Sequence, residues 1–580
     1  MQGTIFDQII KEKDDFEDGQ IQIVSGLSFN QKDIVRRIHL YYHDTFETGE
    51  KDSEGWKKHF YNLTKFRCKV ASKAIDLDTK DIRLRPENEA SRLGTWLLSK
   101  ELKFWMKEKG FGKTLNQITK NLPIFGTVVI KAVDDQVKLV DLRNFYLDAG
   151  AEDLDKARYI IEKHFYTPDE LKKKKWDNIE EVISKWREEE SEDQIEIFER
   201  YGEVRESWLK DNGDPEKYIK AVFIVAYPEE KEGIILYKSK IDKLPYKEVH
   251  WDKTEGRWLG IGIVEELFDN QIRVNELINL KGKGLYWTAK LLFQTRDPLI
   301  GRSILTEADF GDILKVQSEI NPIDIRTRDL SAFVQEESRW DVLSDQKTFA
   351  YDVIRGERMP AGTPLGSAIL QSQMAGGFFD LQRENVGLFL KELLYDLIIP
   401  TFKKKNRAEH IMQFYGNEEE MEKIDRMIVN GRVSASLKEY IQRNNFLPTL
   451  EEVEMIKTAE RTRLREREER VLTIPDSYYE NLKYKIDIII TGERVNTAAE
   501  MASLQQILAI IGTNPTILQD PTTKKIFYKL LDSAGINIEE FRSTEEIPTV
   551  REYVAERGGG IAAPKIASPT PIRMPAELTI

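Results

Sequence analysis

Apolar residues recurring at spacings of three, four and seven mark three long helices in the middle of the chain. The first runs from Gly262 to Arg296, with Val264, Leu267, Phe268, Val274, Leu277, Ile278 and Leu285 on one stripe. Asp297-Pro298 ends it, because the residue before a proline is pushed out of the α region. From Leu299 to Ile325 the apolar runs are too short for helices and Gly and Pro punctuate them, which predicts β-hairpin-like elements. A second helix is expected from Asp329 to Arg358. The stretch MPAGTPLGSAILQSQMAGGF, Met359 to Phe378, then brings two prolines and several glycines, a loop able to bend sharply. A third helix follows to Lys404, its stripe made by Val386, Phe389, Leu390, Leu393, Leu394, Leu397 and Ile398.

The flanks are patterned differently. Residues 1–19 are acidic and helix-prone, and we expect a partly mobile arm. Asn30 is placed to cap a helix that carries Ile34, Ile38, Tyr41 and Tyr42 on one side. Helices are also expected from Gly55 to Ile75 and from Ser91 to Lys109, the latter burying Leu93, Leu97, Leu98, Leu102 and Trp105. From Gly126 to Asp148 the period becomes two, a hairpin turning at Asp134-Asp135, and further strands follow in ARYIIEKHFY, QIEIFERYGEVRES, KYIKAVFIVAY and GIILYKS. Beyond Lys405, IMQFYG and KYKIDIIITGE read as strands among charged helices. From Arg557 the chain is rich in Gly, Pro and Ala without aromatics, a composition that stays disordered without a partner.

Composition narrows the chemistry. A net charge of −13 argues against a protein whose main task is gripping nucleic acid, since phosphate binding rests on Lys and Arg releasing counterions. The single cysteine, Cys68, excludes an intrachain disulfide framework. No apolar run approaches the ~20 residues of a membrane span, and the N-terminus lacks the basic and apolar regions of a secretion signal.

Candidate motifs reduce to local structure. His39 and His43 share a helix face, but Leu40 stands where a zinc protease needs Glu. Gly112-Lys113-Thr114 matches the tail of a phosphate loop, yet Lys107 occupies the first Gly position and a helix precedes it, so Gly110 and Gly112 read as helix C-caps. Pro168-Asp169 and Glu170-x-Lys172 read as a helix start with Thr167 as cap. Gly260 and Gly262 read as a strand-loop-helix junction. Lys281-Gly282-Lys283-Gly284 interrupts the first long helix; two glycines there predict a kink or weakening.

The succession of helix, β-containing insert, helix, Gly-Pro loop and helix resembles the core of the portal protein of tailed double-stranded DNA bacteriophages. The segment from Lys485 to Gly535 is similar to the strand and crown-side helices of several phage portals. The resemblance implies an α+β, mainly helical, portal-type ring subunit with wing, stem, clip and crown. Its parts would be a wing over 1–260, a first stem helix over 261–296, a clip over 297–328, a second stem helix over 329–358 and a tunnel loop over 359–378. A long wing helix and wing return would follow over 379–485, crown-side helices over 486–545 and a flexible tail over 546–580.

By the same resemblance, Met359, Pro360, Gly362, Pro364, Gly366, Gln371, Gln373, Gly376 and Gly377 belong to the tunnel loop, and Arg302, Lys315, Arg326 and Arg328 to the clip. Lys281, Lys283, Arg339 and Lys347 are candidate contacts to DNA in the channel, although a helix with exposed lysines accounts for the first two equally well. The implied partners are eleven further copies in a ring of twelve, double-stranded DNA, terminase, a head-tail adaptor, and major capsid and scaffolding proteins, with no cofactor, no metal and no membrane. The implied place is the capsid vertex of a virion, after synthesis in the host cytoplasm, and the role is not enzymatic. Two other readings stay open at this point: a packaging-associated nuclease or ATPase, and a non-portal capsid scaffold or adaptor.

Overall fold

The structure, a computed structural model, describes most of residues 4–290, residues 293–296, 317–323, 331–350, 377, 379–405 and 410–413, scattered positions from 429 to 443, and residues 448–465, 471–474 and 482–488. The chain divides into two compact units, one of Met1–Arg85, Trp96–Asn406 and Tyr484–Asn496, the other of Pro86–Thr95, Arg407–Lys483 and Thr497–Ile580.

In the first unit, helix α1 (Ile5–Asp18) opens with a reciprocal capping box between Thr4 and Asp7. Ile5, Ile9 and Phe16 on it are buried, so this segment is part of the core and not the mobile arm expected from its charge. The stripe at i, i+4, i+7 and i+11 includes an acid, Glu12, and that acid is what hid it. A ribbon, β1 (Ile21–Val24) with β2 (Leu27–Phe29), leads to α2 (Gln31–Tyr42), whose Asn30 side chain accepts from the Asp33 amide as expected. Helix α3 runs over Thr64–Ala74, later than the expected start at Gly55. Asn62 Oδ1 accepts the Thr64 and Lys65 amides, which sets the first turn there, and residues 55–63 lack helical structure. Strand β3 (Ile82–Pro86) and helix α4 (Arg92–Glu108) follow.

Helix α5 (Phe111–Phe125) was concealed by its own punctuation. Gly110, at φ 64, separates it from α4, and Pro123 lies inside its last turn. Gly112 is therefore within a helix and does not cap one. Its buried residues Phe111, Leu115, Ile118 and Leu122 keep helical spacing.

The strands are β4 (Thr127–Val133), β5 (Gln136–Leu139), β6 (Phe145–Leu147), β7 (Tyr159–Tyr166), β8 (Ile195–Arg205), β9 (Tyr218–Ala226), β10 (Ile234–Lys240) and β11 (Tyr246–His250). They form a five-stranded antiparallel sheet in the order β10-β9-β8-β7-β6 and a three-stranded sheet in the order β11-β4-β5. The hairpin and the further strands thus fall where the period of two placed them. Short helices α6 (Pro168–Lys172), α7 (Ile179–Glu188) and α8 (Glu206–Leu209) connect them. Thr167 caps α6 through a capping box with Glu170, and Pro168 stands at its first turn, as read from the sequence.

Three glycines aim the next helices. Gly126, at φ 73, closes α5 and lies back to back with Gly260 and Gly262. A Cβ on Gly126 would fall 2.2 Å from the Gly260 oxygen, and one on Gly262 would fall 2.5 Å from the Gly126 nitrogen. The Trp251 amide donates to Gly126 O at 2.8 Å and the Gly260 amide to Thr127 Oγ1 at 2.7 Å. This knot extends the junction reading of Gly260 and Gly262 and sets the origin of α9 (Ile263–Glu266) and α10 (Phe268–Ala289).

The first long helix is therefore broken at Leu267 and ends at Ala289, short of Arg296. Its far end is displaced by pairing: β12 (Phe293–Gln294) joins β13 (Asn321–Pro322) before Asp297-Pro298 is reached. The helix stays helical through Gly282 and Gly284. Helix α11 (Ser331–Thr348) ends short of Arg358, where Phe349 turns to φ 55 and the Ala350 amide bonds Asp345 O. Helix α12 (Asp380–Leu393) passes through one π turn, Leu394–Ile398, into α13 (Ile399–Lys405), and Val386, Phe389, Leu390, Leu393, Leu394 and Ile398 are buried as the stripe required.

In the second unit, β14 (His410–Gln413) pairs with β15 (Val471–Ile474), and α14 (Leu450–Arg465) starts on a capping box of Thr449 with Glu452. The strand read in KYKIDIIITGE is β16 (Tyr484–Ile488), which belongs to the first unit and pairs there with β3.

Candidate functional site

Helices α10 and α11 form an antiparallel hairpin. Three crossings fix the direction: Lys347 Nζ donates to Glu266 O at 3.4 Å, Asn270 Nδ2 to Ser344 Oγ at 2.9 Å, and Lys281 pairs with Glu337. Near α9 the hairpin is rooted by Arg67 on α3, a buried guanidinium that pairs with Asp341 and Asp345 at 2.8 Å each. Leu280, Leu285 and Trp287 on α10 and Val334 on α11, away from the root, are each about half exposed, as is Val342 beside it. The β12–β13 pair stands at that end.

A polar stripe runs along α10 at a spacing of four: Gln271, Asn275, Asn279 and Lys283. It holds the extended segment 59–63. The amide of His59 donates to Asn279 Oδ1 at 2.8 Å, that of Tyr61 to Asn275 Oδ1 at 2.9 Å and that of Leu63 to Gln271 Oε1 at 2.8 Å. In return Asn279 Nδ2 donates to His59 O at 3.0 Å and Gln271 Nε2 to Tyr61 O at 2.5 Å. The match is geometric. Four helical residues rise about 6 Å and two extended residues about 6.6 Å, so the two repeats stay nearly in step. Lys283 continues the stripe by taking Asp52 at 2.6 Å and Glu54 at 3.0 Å. Sequence reading followed the apolar stripe of this helix and missed the polar one; amides repeating every fourth residue were the available signal.

The structure places the candidate DNA contacts as follows. Lys281 and Lys283 are engaged by acids of their own chain, Glu337 and the Asp52–Glu54 pair. Arg339 is largely exposed and faces Glu336 at 3.5 Å, and Lys347 lies at the root of the hairpin. Of the residues that the resemblance assigns to a tunnel loop, only Gly377 is described. Met359, Pro360, Gly362, Pro364, Gly366, Gln371, Gln373 and Gly376 lie outside the described residues, as do Arg302, Lys315, Arg326 and Arg328, expected in a clip, the helix end expected over 351–358, the segment beyond Ile488 expected on the crown side and the tail expected over 546–580.

One buried cluster has ligand-like chemistry. Glu162 and His164 on β7 and Glu199 on β8 bring three possible donor atoms within 4.8 Å of one another. The cation in their midst is Lys131 of β4, whose ammonium lies 2.8 Å from Glu162 and 2.5 Å from Glu199. Tyr246 donates to Glu162 at 2.9 Å and Tyr201 to Glu199 at 2.5 Å. The group thus ties β4 of the smaller sheet to β7 and β8 of the larger one. Burial alone would push the Glu199 carboxyl up, but the hydrogen bond from His164 and the Lys131 charge outweigh it and hold Glu199 at about 2. Its stabilising contribution is present above the usual value of 4.5 and is lost as the pH falls toward 2. Replacing Lys131 by Met is expected to cost about 3–5 kcal/mol at neutral pH, because two buried carboxylates lose their cation. Urea unfolding at successive pH values checks this, and the penalty should shrink as the carboxylates protonate.

Elsewhere the motifs resolve as backbone features. His39 packs on Phe125 and stacks with His43 at 6.3 Å, while Lys113 lies in α5 directly after α4, without the preceding strand that a phosphate loop needs. Among the described residues, no helix is long and apolar enough to cross a membrane.

No family model and no curated protein matches the chain. Among solved structures, a chain of the virion of a native gene transfer agent particle is similar at 8% identity and a TM-score of 0.33, covering 62% of this chain and 79% of that one. A chain from the neck of an empty gene transfer agent particle, computed with C6 symmetry, is similar at 8% identity and a TM-score of 0.34, covering 68% and 89%. Likenesses this weak carry no argument about fold or role.

Proposed function

We propose that this chain is a structural component of a phage-like particle and, more specifically, a portal-type ring subunit. In this reading it is an α+β protein, not an enzyme, acting without cofactor. Twelve copies sit at one capsid vertex and surround a channel through which double-stranded DNA is packaged and ejected. The ring docks terminase first and a head-tail adaptor later, and meets major capsid and scaffolding proteins during assembly in the host cytoplasm.

The observation that supports this reading is the α10–α11 hairpin. A pair of antiparallel helices is rooted in a packed core by Arg67, leaves apolar side chains on its outside, and brackets a long insert at its far end. Apolar residues exposed together as a patch mark association surfaces, and a heterologous contact makes a ring where its rotation closes. The acidic balance fits a conduit, where each tight phosphate contact would act as a brake.

The test is the oligomer. Electron microscopy of the purified chain should show closed rings, and placing Asp at Leu280 and Leu285 should leave folded monomers. Both positions are exposed, and such sites usually change fold stability by no more than about 0.5 kcal/mol. Rings that persist in that variant would remove the hairpin from the interface.

A further inference from the structure

The segment from Lys51 to Leu63 lies along α10 as a strap with two unlike ends. At its base, Leu63 is buried, and it and Tyr61 are held by Gln271 and Asn275, themselves buried amides. Phe60 turns the opposite way to pack on Phe46 and Tyr41, at ring distances of 5.0 and 6.1 Å, and Asn62 reaches Tyr41 O at 3.0 Å. Its tip is built otherwise. Residues 51–58 fold on themselves through a Lys51–Lys57 bridge, with Asp52 Oδ1 accepting the Glu54 and Trp56 amides. The tip meets α10 through the Lys283 ion pairs and the edge of Trp56 on Tyr286 at 4.6 Å.

We propose that residues 51–58 are a releasable mask over Lys283, opening from the base at 59–63 without unfolding it. Ion pairs near solvent are weak and screened by salt, whereas amides buried against backbone groups are not. The Asp52 and Glu54 carboxylates also hold the Lys283 ammonium above its ordinary range. While the tip is closed, Lys283 is neutralised within its own chain; once open, it presents one more cation to an anionic ligand. That this ligand would be a DNA phosphate rests on the portal reading, but the opening itself does not.

Hydrogen exchange on the full chain tests the opening, and amine acylation read by mass spectrometry tests the masking. In 0.5 M NaCl, or with Asp52→Asn and Glu54→Gln together, exchange over 51–58 should rise about two- to tenfold, the range expected for losing exposed ion pairs. Acylation of Lys283 should rise with it, while protection of the Tyr61 and Leu63 amides holds. Tip and base exchanging at one rate, or a tip indifferent to both salt and the double substitution, would overturn the proposal. These readouts need no ring, so a failed ring experiment leaves them interpretable.

Discussion

Replacing Gly126 by alanine is expected to lower the unfolding free energy by about 2–5 kcal/mol, the sum of a left-handed backbone penalty and overpacking. Both effects act at this residue. Its φ of 73 suits glycine, and the new methyl would meet backbone, the oxygen of Gly260 at 2.2 Å, which no side-chain rotation relieves. Domains are commonly stable by only about 5–15 kcal/mol, so the loss is a large share of the total. It should be read as a shift in urea midpoint with little change in slope. Because Gly126 abuts the start of α9, the variant should also lose ring formation. A shift worth less than about 1 kcal/mol would mean that the three glycines are not the close-packed knot described above.

The second large effect is expected at Glu12. Arg200 on β8 is almost wholly buried, and its guanidinium forks onto Glu12 with Nε at 2.6 Å and Nη2 at 2.7 Å, donating also to Glu203 O. Glu12→Gln leaves that buried cation without its counter-charge, at a cost of about 3–5 kcal/mol. Replacing the pair together, Glu12→Met with Arg200→Leu, should recover most of the loss, since well-packed apolar residues often substitute for a buried ion pair without penalty. Thermal unfolding of the single and double variants, with limited proteolysis around α1, separates these outcomes. Equal losses in both would show that packing, not charge, seats the N-terminal helix.

Legibility followed the physics of each element. Stripes with one apolar face were readable, as in α4 and α12, and so were strands with a period of two and the Thr167–Glu170 cap. Features decided by distant partners were not. Residues 55–63 have helix-compatible composition, but the amides of Gln271, Asn275 and Asn279 draw the backbone out straight. α1 looked like a charged arm because the acid in its stripe is matched by an arginine 188 residues away. Gly110 and Gly112 read as the end of α4, although Gly112 lies inside α5. Lys131 gave no hint in sequence of the carboxylates and tyrosines gathered on it.

In the proposed role, the α10–α11 hairpin packs copies of this chain around a hole. Imaging the purified oligomer by electron microscopy without imposed symmetry tests it most directly. The expected image is a closed ring of twelve with a through-bore and the hairpin beside it. Monomers alone at high concentration, or a ring with the hairpin on its outer rim, would contradict it.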